Sequence, residues 1–205
     1  WNDNTSREFL DKKGLKDLPV GDMGHSYGFS FRHFGAEYKN CKTDYKGLGF
    51  DQLTYVIEEI KNNPTSRRLI ISLWEPNYMH KAALPPCLYQ YQFYVHNGEL
   101  SCMMTQRSSD FALAGGWNVA TGALLTYLIA YYTNTKPKEL IWNIGDLHIY
   151  KNSIAGIEKQ TKRTPNIYPK LFLNNMPKNI EDVQYNNLEL LNYNPMKNIK
   201  LPMNV

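Results

Sequence analysis

The chain has 205 residues, 42% of them hydrophobic and 13% aromatic, and a formal net charge of +4. These values exclude a disordered chain and suit one large domain, or at most two small ones. The lysines are scattered rather than gathered into a stripe, so a nucleic-acid-binding surface is not indicated. The modest positive charge also suits a protein that binds one small phosphorylated metabolite.

The three cysteines cannot all pair with one another, and no pattern typical of a targeting segment opens the sequence. The simplest interpretation is a cytoplasmic protein with reduced thiols. The longest apolar run, residues 119–132, is shorter than the roughly 20 residues of a membrane span and predicts a buried helix. The first residue is Trp1 rather than methionine, so we expect residues upstream of it.

The first clear element is an amphipathic helix over residues 51–63, with apolar positions at Leu53, Val56, Ile57 and Ile60. Asp51 stands where the N-cap belongs. Residues 63–66, NPTS, predict a turn. Residues 67–74, RRLIISLW, predict a buried strand that begins with two arginines.

A hairpin is predicted next, because strand-like residues 88–95 and 99–106 flank Asn97-Gly98. Asn-Gly is the strongest short hairpin signal, since a type I′ turn needs positive φ at both positions. Counting back from this turn places Cys87 opposite Ser108. A bulge would shift the register by one residue and still leave Cys87 near Arg107 and Asp110.

After the hairpin, residues 111–118 predict a loop containing Gly115 and Gly116, and the apolar helix follows with Asn118 near its start. Residues 139–150 predict a further strand with a polar tip formed by Asp146, His148 and Tyr150. Together the elements indicate an α/β or α+β fold with a substantial mixed or antiparallel sheet.

Cys87 has two interpretations on the residues alone. A free cysteine is more often a small packing residue. Pro85 and Pro86, however, restrict the chain before it, and the predicted hairpin sets the Arg107 guanidinium at its side. A cation beside a thiol favours the nucleophilic thiolate. Packing and nucleophilic roles of Cys87 therefore stand about even.

Two other pairs are equally ambiguous. Arg67 and Arg68 are either a solvated strand end or a phosphate site. Consecutive strand residues point to opposite faces, so a subunit interface or a loop would collect both more easily than one pocket. His148 and Tyr150 are predicted on one face of a strand, as a capped end or as ligands of a polar group. No metal-ligand cluster, Walker A loop or GxGxxG motif occurs, which disfavours a metal or dinucleotide enzyme.

Five segments, in order and at matching intervals, resemble signatures of the thymidylate synthase family: SYGFSFRHFGAEY (26–38), TSRRLI (65–70), LPPC (84–87), QRSSD (106–110) and GDLHIY (145–150). The resemblance runs from Trp1 to Val205 and implies one catalytic domain over 1–205 that lacks the family's N-terminal segment. It also implies a large mixed sheet flanked by helices, with sheets packed back to back in a homodimer. A dihydrofolate reductase part upstream, as in bifunctional members, stays open.

The resemblance implies reductive methylation of dUMP to dTMP, with 5,10-methylenetetrahydrofolate as one-carbon and hydride donor and with no metal. Cys87 matches the nucleophile that attacks C6 of uracil, and Tyr27 matches a tyrosine that assists proton removal at C5. Arg107, Asp110 and Asn118 complete the implied catalytic set. Asn118 also favours uracil, because related deoxycytidylate hydroxymethylases carry aspartate there.

The implied binding residues fall into two groups. The dUMP ligands are Arg67, Arg68, Gln106, Arg107, Ser108, Asp110, Asn118, His148 and Tyr150, with Arg67 and Arg68 reaching the phosphate of the partner subunit. The folate contacts are Trp1, Asn4, Asp110, Leu113, Trp117 and Val205. The partners implied are thus dUMP, a reduced folate and a second copy of the chain, with neither membrane nor nucleic acid.

The chain departs from the family pattern at Leu88, where histidine is usual, in residues 112–118, and at Gly122, Leu147 and the ending LPMNV. These departures keep two alternatives open. One is a pyrimidine deoxynucleotide hydroxymethylase of the same superfamily. The other is a catalytically impaired homologue that binds nucleotide or acts as an interaction module.

Overall fold

A computed structural model describes residues 1–204 and contains five α-helices and six β-strands. The helices are α1 (Arg7–Lys12), α2 (Tyr27–His33), α3 (Gln52–Asn62), α4 (Phe111–Tyr132) and α5 (Ile154–Thr161). The strands are β1 (Ile70–Ser72), β2 (Leu88–His96), β3 (Glu99–Asp110), β4 (Lys136–His148), β5 (Lys170–Leu173) and β6 (Leu188–Leu191). The three long strands, β2 to β4, build most of the main sheet.

The main sheet has the strand order β1-β2-β3-β4. The first two pairings are antiparallel, and β3 pairs with β4 in parallel. A parallel pair needs a crossover, which α4 supplies between the end of β3 and the start of β4. β5 and β6 form a separate antiparallel pair. The predicted class, a mixed sheet flanked by helices, is confirmed.

The turn between β2 and β3 confirms the predicted hairpin. Asn97 has φ of 50° and Gly98 has φ of 74°, and His96 pairs with Glu99 across the turn. Asparagine and glycine tolerate this left-handed backbone better than other residues do. The turn therefore fixes which side chains of both strands face the core.

The core lies on one face of the main sheet. The sheet contributes Tyr91, Phe93, Val95, Leu100, Cys102 and Met104, and α3 contributes Val56, Ile57 and Ile60. This is the predicted face of α3, and Asp51 caps the helix as expected, because its Oδ1 accepts the N–H of Thr54 at 3.0 Å. Burying each large aliphatic side chain contributes roughly 1.5–3 kcal/mol.

The predicted loop at residues 111–118 is wrong, because α4 begins at Phe111. The side chain of Asp110 caps it by accepting the N–H of Leu113 at 3.2 Å. Gly115 is buried, and a Cβ there would lie 3.2 Å from the Phe111 ring. The cap and this close packing outweigh the low helix propensity of two adjacent glycines.

The apolar helix is also longer and more exposed than predicted. α4 has 22 residues, and an 18-residue window of it has a mean hydropathy of 1.3, enough by length and composition to cross a membrane. Core helices meet the same criterion, and α4 packs along β3 and β4. Its buried positions are Gly115, Gly122, Thr126, Ile129 and Ala130, whereas Trp117 is 77% exposed. The prediction of a buried helix therefore holds for one face only.

The strand predicted over residues 67–74 is shorter than expected. Only Ile70–Ser72 form β1. Leu69, Ile71 and Leu73 are buried, whereas Ile70 and Trp74 are exposed. The segment thus alternates, as a strand with one face on the core does, rather than being buried on both faces.

Candidate active site

Cys87 lies immediately before β2, and both of its backbone groups are fixed. Its N–H donates to the hydroxyl oxygen of Tyr27 at 2.8 Å, and its carbonyl accepts the N–H of Arg107 at 2.8 Å. Tyr27 is the first residue of α2. Burial raises the pKa of Tyr27, so its hydroxyl keeps its proton at neutral pH. The cysteine is thereby held between α2 and β3.

The guanidinium of Arg107 is locked beside the thiol. Nη2 lies 3.9 Å from Cys87 Sγ. Nε donates to the Pro86 carbonyl at 2.9 Å, and Nη2 donates to the Pro85 carbonyl at 3.2 Å. The Trp74 ring lies 5.7 Å from the guanidinium carbon, within cation–π range. The two prolines therefore present the carbonyl groups that aim a cation at the sulfur, besides restricting the chain.

The predicted pairing of Cys87 with Ser108 is wrong by one residue. The pairs run His96 with Glu99 through Gln90 with Thr105 as expected, but Leu88 pairs with Gln106. The shift is a bulge between Leu88 and Gln90, which places Cys87 opposite Arg107. The predicted neighbourhood of thiol and guanidinium is confirmed, and the bulge brings them closer than the uninterrupted register would.

A cavity of about 560 Å³ lies beside the segment that carries Cys87, although Cys87 itself is not among its lining residues. Leu88 and Tyr27, the chain neighbour and hydrogen-bond partner of the cysteine, form one wall. Among the residues proposed from the sequence, it is also lined by Trp1, Leu113, Trp117 and Asn118. The lining is largely apolar, and its residues with polar side-chain groups include Asn118, Thr121, Tyr27 and Tyr91. Such a cavity suits flat aromatic rings with a few orienting hydrogen bonds.

The carboxyl ends of β3 and β4 bring a second set of polar residues together. Ser108 pairs with Asp146, and Asp110 pairs with His148. His148 Nδ1 lies 3.0 Å from Asp146 Oδ1. Tyr150 lies beyond the end of β4, which corrects the prediction that it shares a strand face with His148, but the two rings remain 5.1 Å apart, edge to face.

Arg67 and Arg68 are exposed and lie away from Cys87 within the chain. Ile70 pairs with Gln92, five residues beyond Cys87, or about 17 Å along an extended strand. Both arginines precede Ile70 and are farther still, beyond the reach of one side chain. Within the described residues, this separation rules out a shared site for Arg67, Arg68 and Cys87 of the same subunit.

Three further predicted residues have distinct positions. Gln106 is 2% exposed, and its Oε1 accepts the indole N–H of Trp142 at 2.9 Å. Asn4 is buried, and its Oδ1 has no hydrogen-bond partner among residues 1–204. Val205 lies outside the described residues. Gln106 thus anchors β3 to β4, whereas Asn4 keeps a free acceptor.

Several contributors to the site were not predicted from the sequence, among them Trp74, Met203 and Thr121. Trp74, beneath Arg107, carried no signal beyond the alternation of residues 67–74. Met203 also lines the cavity, and only its place near the end of the chain suggested this. Thr121 follows Leu113 and Trp117 at four-residue spacing, so a helix predicted from residue 111 would have put all three on one face.

The structure accommodates two of the departures from the family pattern. Leu88 is buried and lines the cavity as an apolar wall. A Cβ at Gly122 would lie 2.9 Å from Met104 Sδ and 3.1 Å from a Leu140 methyl group. Glycine thus fits the close approach of α4 to the sheet, and a larger residue would have to displace both side chains.

Comparison with known proteins agrees with these features. The family model for thymidylate synthase matches residues 1–205. Thymidylate synthase of Ascaris suum is 47% identical over 205 residues, which cover all of this chain and 70% of the relative. The Homo sapiens thymidylate synthase is 45% identical over 205 residues, with 66% of the relative covered.

Longer relatives match as well. The bifunctional dihydrofolate reductase-thymidylate synthase of Zea mays is 45% identical over 205 residues. The chain covers 39% of that relative, well under half of its length. A family match over every residue, with identity of this level in single-function and bifunctional relatives, establishes that the chain belongs to the thymidylate synthase family.

Proposed function

We propose that this chain catalyses the reductive methylation of dUMP to dTMP, with 5,10-methylenetetrahydrofolate as co-substrate. The observation that carries the proposal is the thiol of Cys87, 3.9 Å from a guanidinium that two prolyl carbonyls hold in place. This geometry supports a thiolate ready to attack an electron-poor carbon. A cysteine that only packs in the core does not require a fixed cation beside it. Membership of the thymidylate synthase family also supports a nucleophilic role for Cys87.

The nucleotide would lie between Cys87 and Asn118. The thiolate adds to C6 of the uracil ring, and the C5 carbon becomes nucleophilic. The Asn118 amide, on the cavity wall, can donate to O4 and accept from N3–H of the same ring. Tyr27 keeps its proton at neutral pH and lies at the cysteine, so it is suited to orient a water or hydroxyl at C5 when the C5 proton leaves.

The phosphate and sugar of dUMP would occupy the ends of β3 and β4. Arg107 and Ser108 are suited to the phosphate, and Asp110, His148 and Tyr150 flank the sugar side. Gln106 would support this site from the core through Trp142. The 3′-hydroxyl is then a ligand of His148 and Tyr150, whose rings lie 5.1 Å apart.

The folate would fill the apolar part of the cavity. When bound, it would supply the one-carbon unit and the hydride. Trp1, Leu113 and Trp117 offer flat and aliphatic surfaces to its rings. Asp110 would accept from the pterin, and Met203 would lie over the ligand. Asn4, whose buried Oδ1 has no partner among residues 1–204, and Val205, outside the described residues, are proposed as further folate contacts.

A homodimer would complete the phosphate site. Arg67 and Arg68 lie at least about 17 Å from Cys87 along the sheet, so a second copy packed back to back is the natural recipient of their side chains. The exposed face of the main sheet, which includes Ile70, Tyr94 and Ile141, supports such packing. We place the protein in the cytoplasm on the basis of its free thiols.

The experiment incubates the full-length protein with dUMP and methylenetetrahydrofolate and follows dihydrofolate absorbance and the pyrimidine product. We expect dihydrofolate and dTMP in equal amounts. Hydroxymethyl-dUMP without dihydrofolate would assign the chain to the hydroxymethylases. Absence of a covalent adduct between Cys87, 5-fluoro-dUMP and the folate would reject catalysis altogether.

Replacing the nucleophile separates chemistry from binding. Cys87→Ser is expected to abolish turnover and adduct formation while dUMP binding remains measurable by calorimetry, because the phosphate and sugar contacts do not involve the sulfur. Cys41→Ser, at an exposed cysteine, is the matched control and should retain full activity. Loss of dUMP binding together with turnover in Cys87→Ser would indicate a structural cysteine.

A further inference from the structure

A buried contact between a histidine and a carboxyl group joins the segments that carry Tyr27 and Trp74. His25 Nε2 and Glu75 Oε2 are 3.0 Å apart, and their side chains are 1% and 9% exposed. Neither atom has another hydrogen-bond partner in the described chain. The two residues are 50 positions apart, so the pair joins two segments that are distant in the sequence.

The surroundings of the pair are mostly aromatic. The His25 ring stacks on Tyr78 with centroids 4.8 Å apart and planes within 4°, and the edge of Phe29 lies 4.8 Å away. Burial lowers the pKa of His25, to which the positive charge of Lys81 also contributes, and burial raises the pKa of Glu75. A buried pair is therefore a weak source of stability, and its geometry invites another explanation.

Each member of the pair is close in sequence to a residue that positions Cys87 or Arg107. Glu75 follows Trp74, whose ring lies beneath the Arg107 guanidinium. His25 precedes Tyr27 by two residues, and the Tyr27 hydroxyl accepts the N–H of Cys87. The pair thus connects the residue that packs on the cation with the residue that holds the cysteine.

Backbone contacts reinforce the same connection. The N–H of His25 donates to the carbonyl of Lys81 at 3.2 Å, and Gly24 forms a bridge with Ala82. These contacts lie between Glu75 and Cys87 along the chain. Backbone contacts therefore hold residues 81–82, which lead into Cys87, against the residues just before α2. The contact between His25 and Glu75 fixes the start of the same segment.

We propose that His25 and Glu75 are a positioning pair that keeps the thiol of Cys87 against Arg107. The pair does so by fixing Tyr27 and Trp74 relative to each other. The inference rests on the proposed role of Cys87 as the nucleophile. The pair is a feature of positioning and touches neither the thiol nor the guanidinium itself.

The test uses His25→Gln and Glu75→Gln, which remove the titratable groups and keep similar volume. Glu99→Gln is the matched control, because Glu99 forms an ion pair of 2.9 Å with Lys138 at the opposite end of β3. The readout is the rate of alkylation of Cys87 by iodoacetamide between pH 6 and pH 10, mapped by mass spectrometry, with exposed Cys41 as internal reference.

We expect each single variant to slow Cys87 alkylation about threefold or more at pH 7, because a displaced Arg107 no longer assists the attacking sulfur, from which it lies 3.9 Å away in the wild type. Rates at the highest pH should converge with the wild type, which general loosening would not produce. The double variant, whose two amides can bond to each other, should recover part of the rate. Glu99→Gln should leave the whole profile unchanged.

Folded variants with wild-type profiles would overturn the proposal. If these variants do not fold, Tyr78→Leu removes the stacking surface of His25 and leaves both members of the pair in place, and the same slowing is required of it. If the His25 and Glu75 variants do not fold and Tyr78→Leu shows the wild-type pH profile of Cys87 alkylation, the pair has a structural role only. Alkylation needs no substrate, so failure of this inference is distinguishable from failure of dTMP synthesis.

Discussion

Nη2 of Arg107 lies 3.9 Å from Sγ of Cys87 because the same guanidinium is bonded to the carbonyls of two prolines. Arg107→Lys keeps the charge but loses the planar fork. We expect alkylation of Cys87 at pH 7 to slow and dUMP binding to weaken about tenfold, since the loss of one hydrogen bond to a charged phosphate costs about 1.5 kcal/mol. Wild-type alkylation and dUMP affinity in Arg107→Lys would mean that charge alone suffices.

Tyr27→Phe removes the only side-chain acceptor of the Cys87 N–H in the described structure. We expect the free energy of unfolding to fall by about 1–3 kcal/mol, as for a buried donor left without a partner. Urea denaturation measures this. Tyr94→Phe, at a tyrosine 62% exposed, is the matched control and should unfold like the wild type; an equal loss in both variants would contradict the prediction.

Gly24 permits a backbone approach that no other residue allows. A Cβ at this position would lie against the carbonyl oxygen of Lys81, and φ is +72°. Gly24→Ala should therefore lose about 1–3 kcal/mol more than the matched variant Gly14→Ala. Gly14 has φ of +76° and no atom within 4 Å of a Cβ, so it isolates the cost of the backbone angle. Similar melting temperatures for the two variants would show that the segment of Lys81 can move.

Stability at acidic pH should depend on Asp51. Burial pushes its pKa upward, but hydrogen bonds from Thr54 and Arg32 outweigh burial and bring the pKa below the ordinary value of 3.8. A group with a depressed folded-state pKa stabilises the fold above the unfolded-state pKa and loses this contribution as pH falls through the folded-state pKa.

Asp51→Asn should accordingly be less stable than the wild type at pH 6, and the difference should shrink as the pH falls below about 4. Urea denaturation at several pH values measures it, with Asp17→Asn at an exposed aspartate as control. A difference that grows towards low pH would contradict the sign of the shift.

Much of the fold follows from local sequence signals. The cap and periodicity of α3 and the Asn97-Gly98 turn are short-range features, and each was confirmed. The start of α4 was missed because two glycines outweighed the Asp110 cap in the sequence pattern, whereas in the fold Gly115 packs beneath Phe111. Tertiary packing overrides propensity at such points.

The candidate site likewise has features that the sequence predicts and features that only the structure shows. Cys87 and Arg107 were brought together by the hairpin, but the bulge that aligns them left no mark in the sequence. The pairing of His25 with Glu75, and the position of Trp74 beneath Arg107, depend on contacts between distant segments. No periodicity encodes these contacts, so only the assembled structure reveals them.

Asp110 ends β3 and caps α4, so one residue joins the strand that carries Arg107 to the helix that carries Asn118 and Trp117. Strand and helix cannot shift independently about such a joint. We therefore expect the affinities for nucleotide and folate to be thermodynamically linked, each ligand tightening the other by the same factor. Asp110 would then transmit occupancy of the proposed nucleotide site to the proposed folate site.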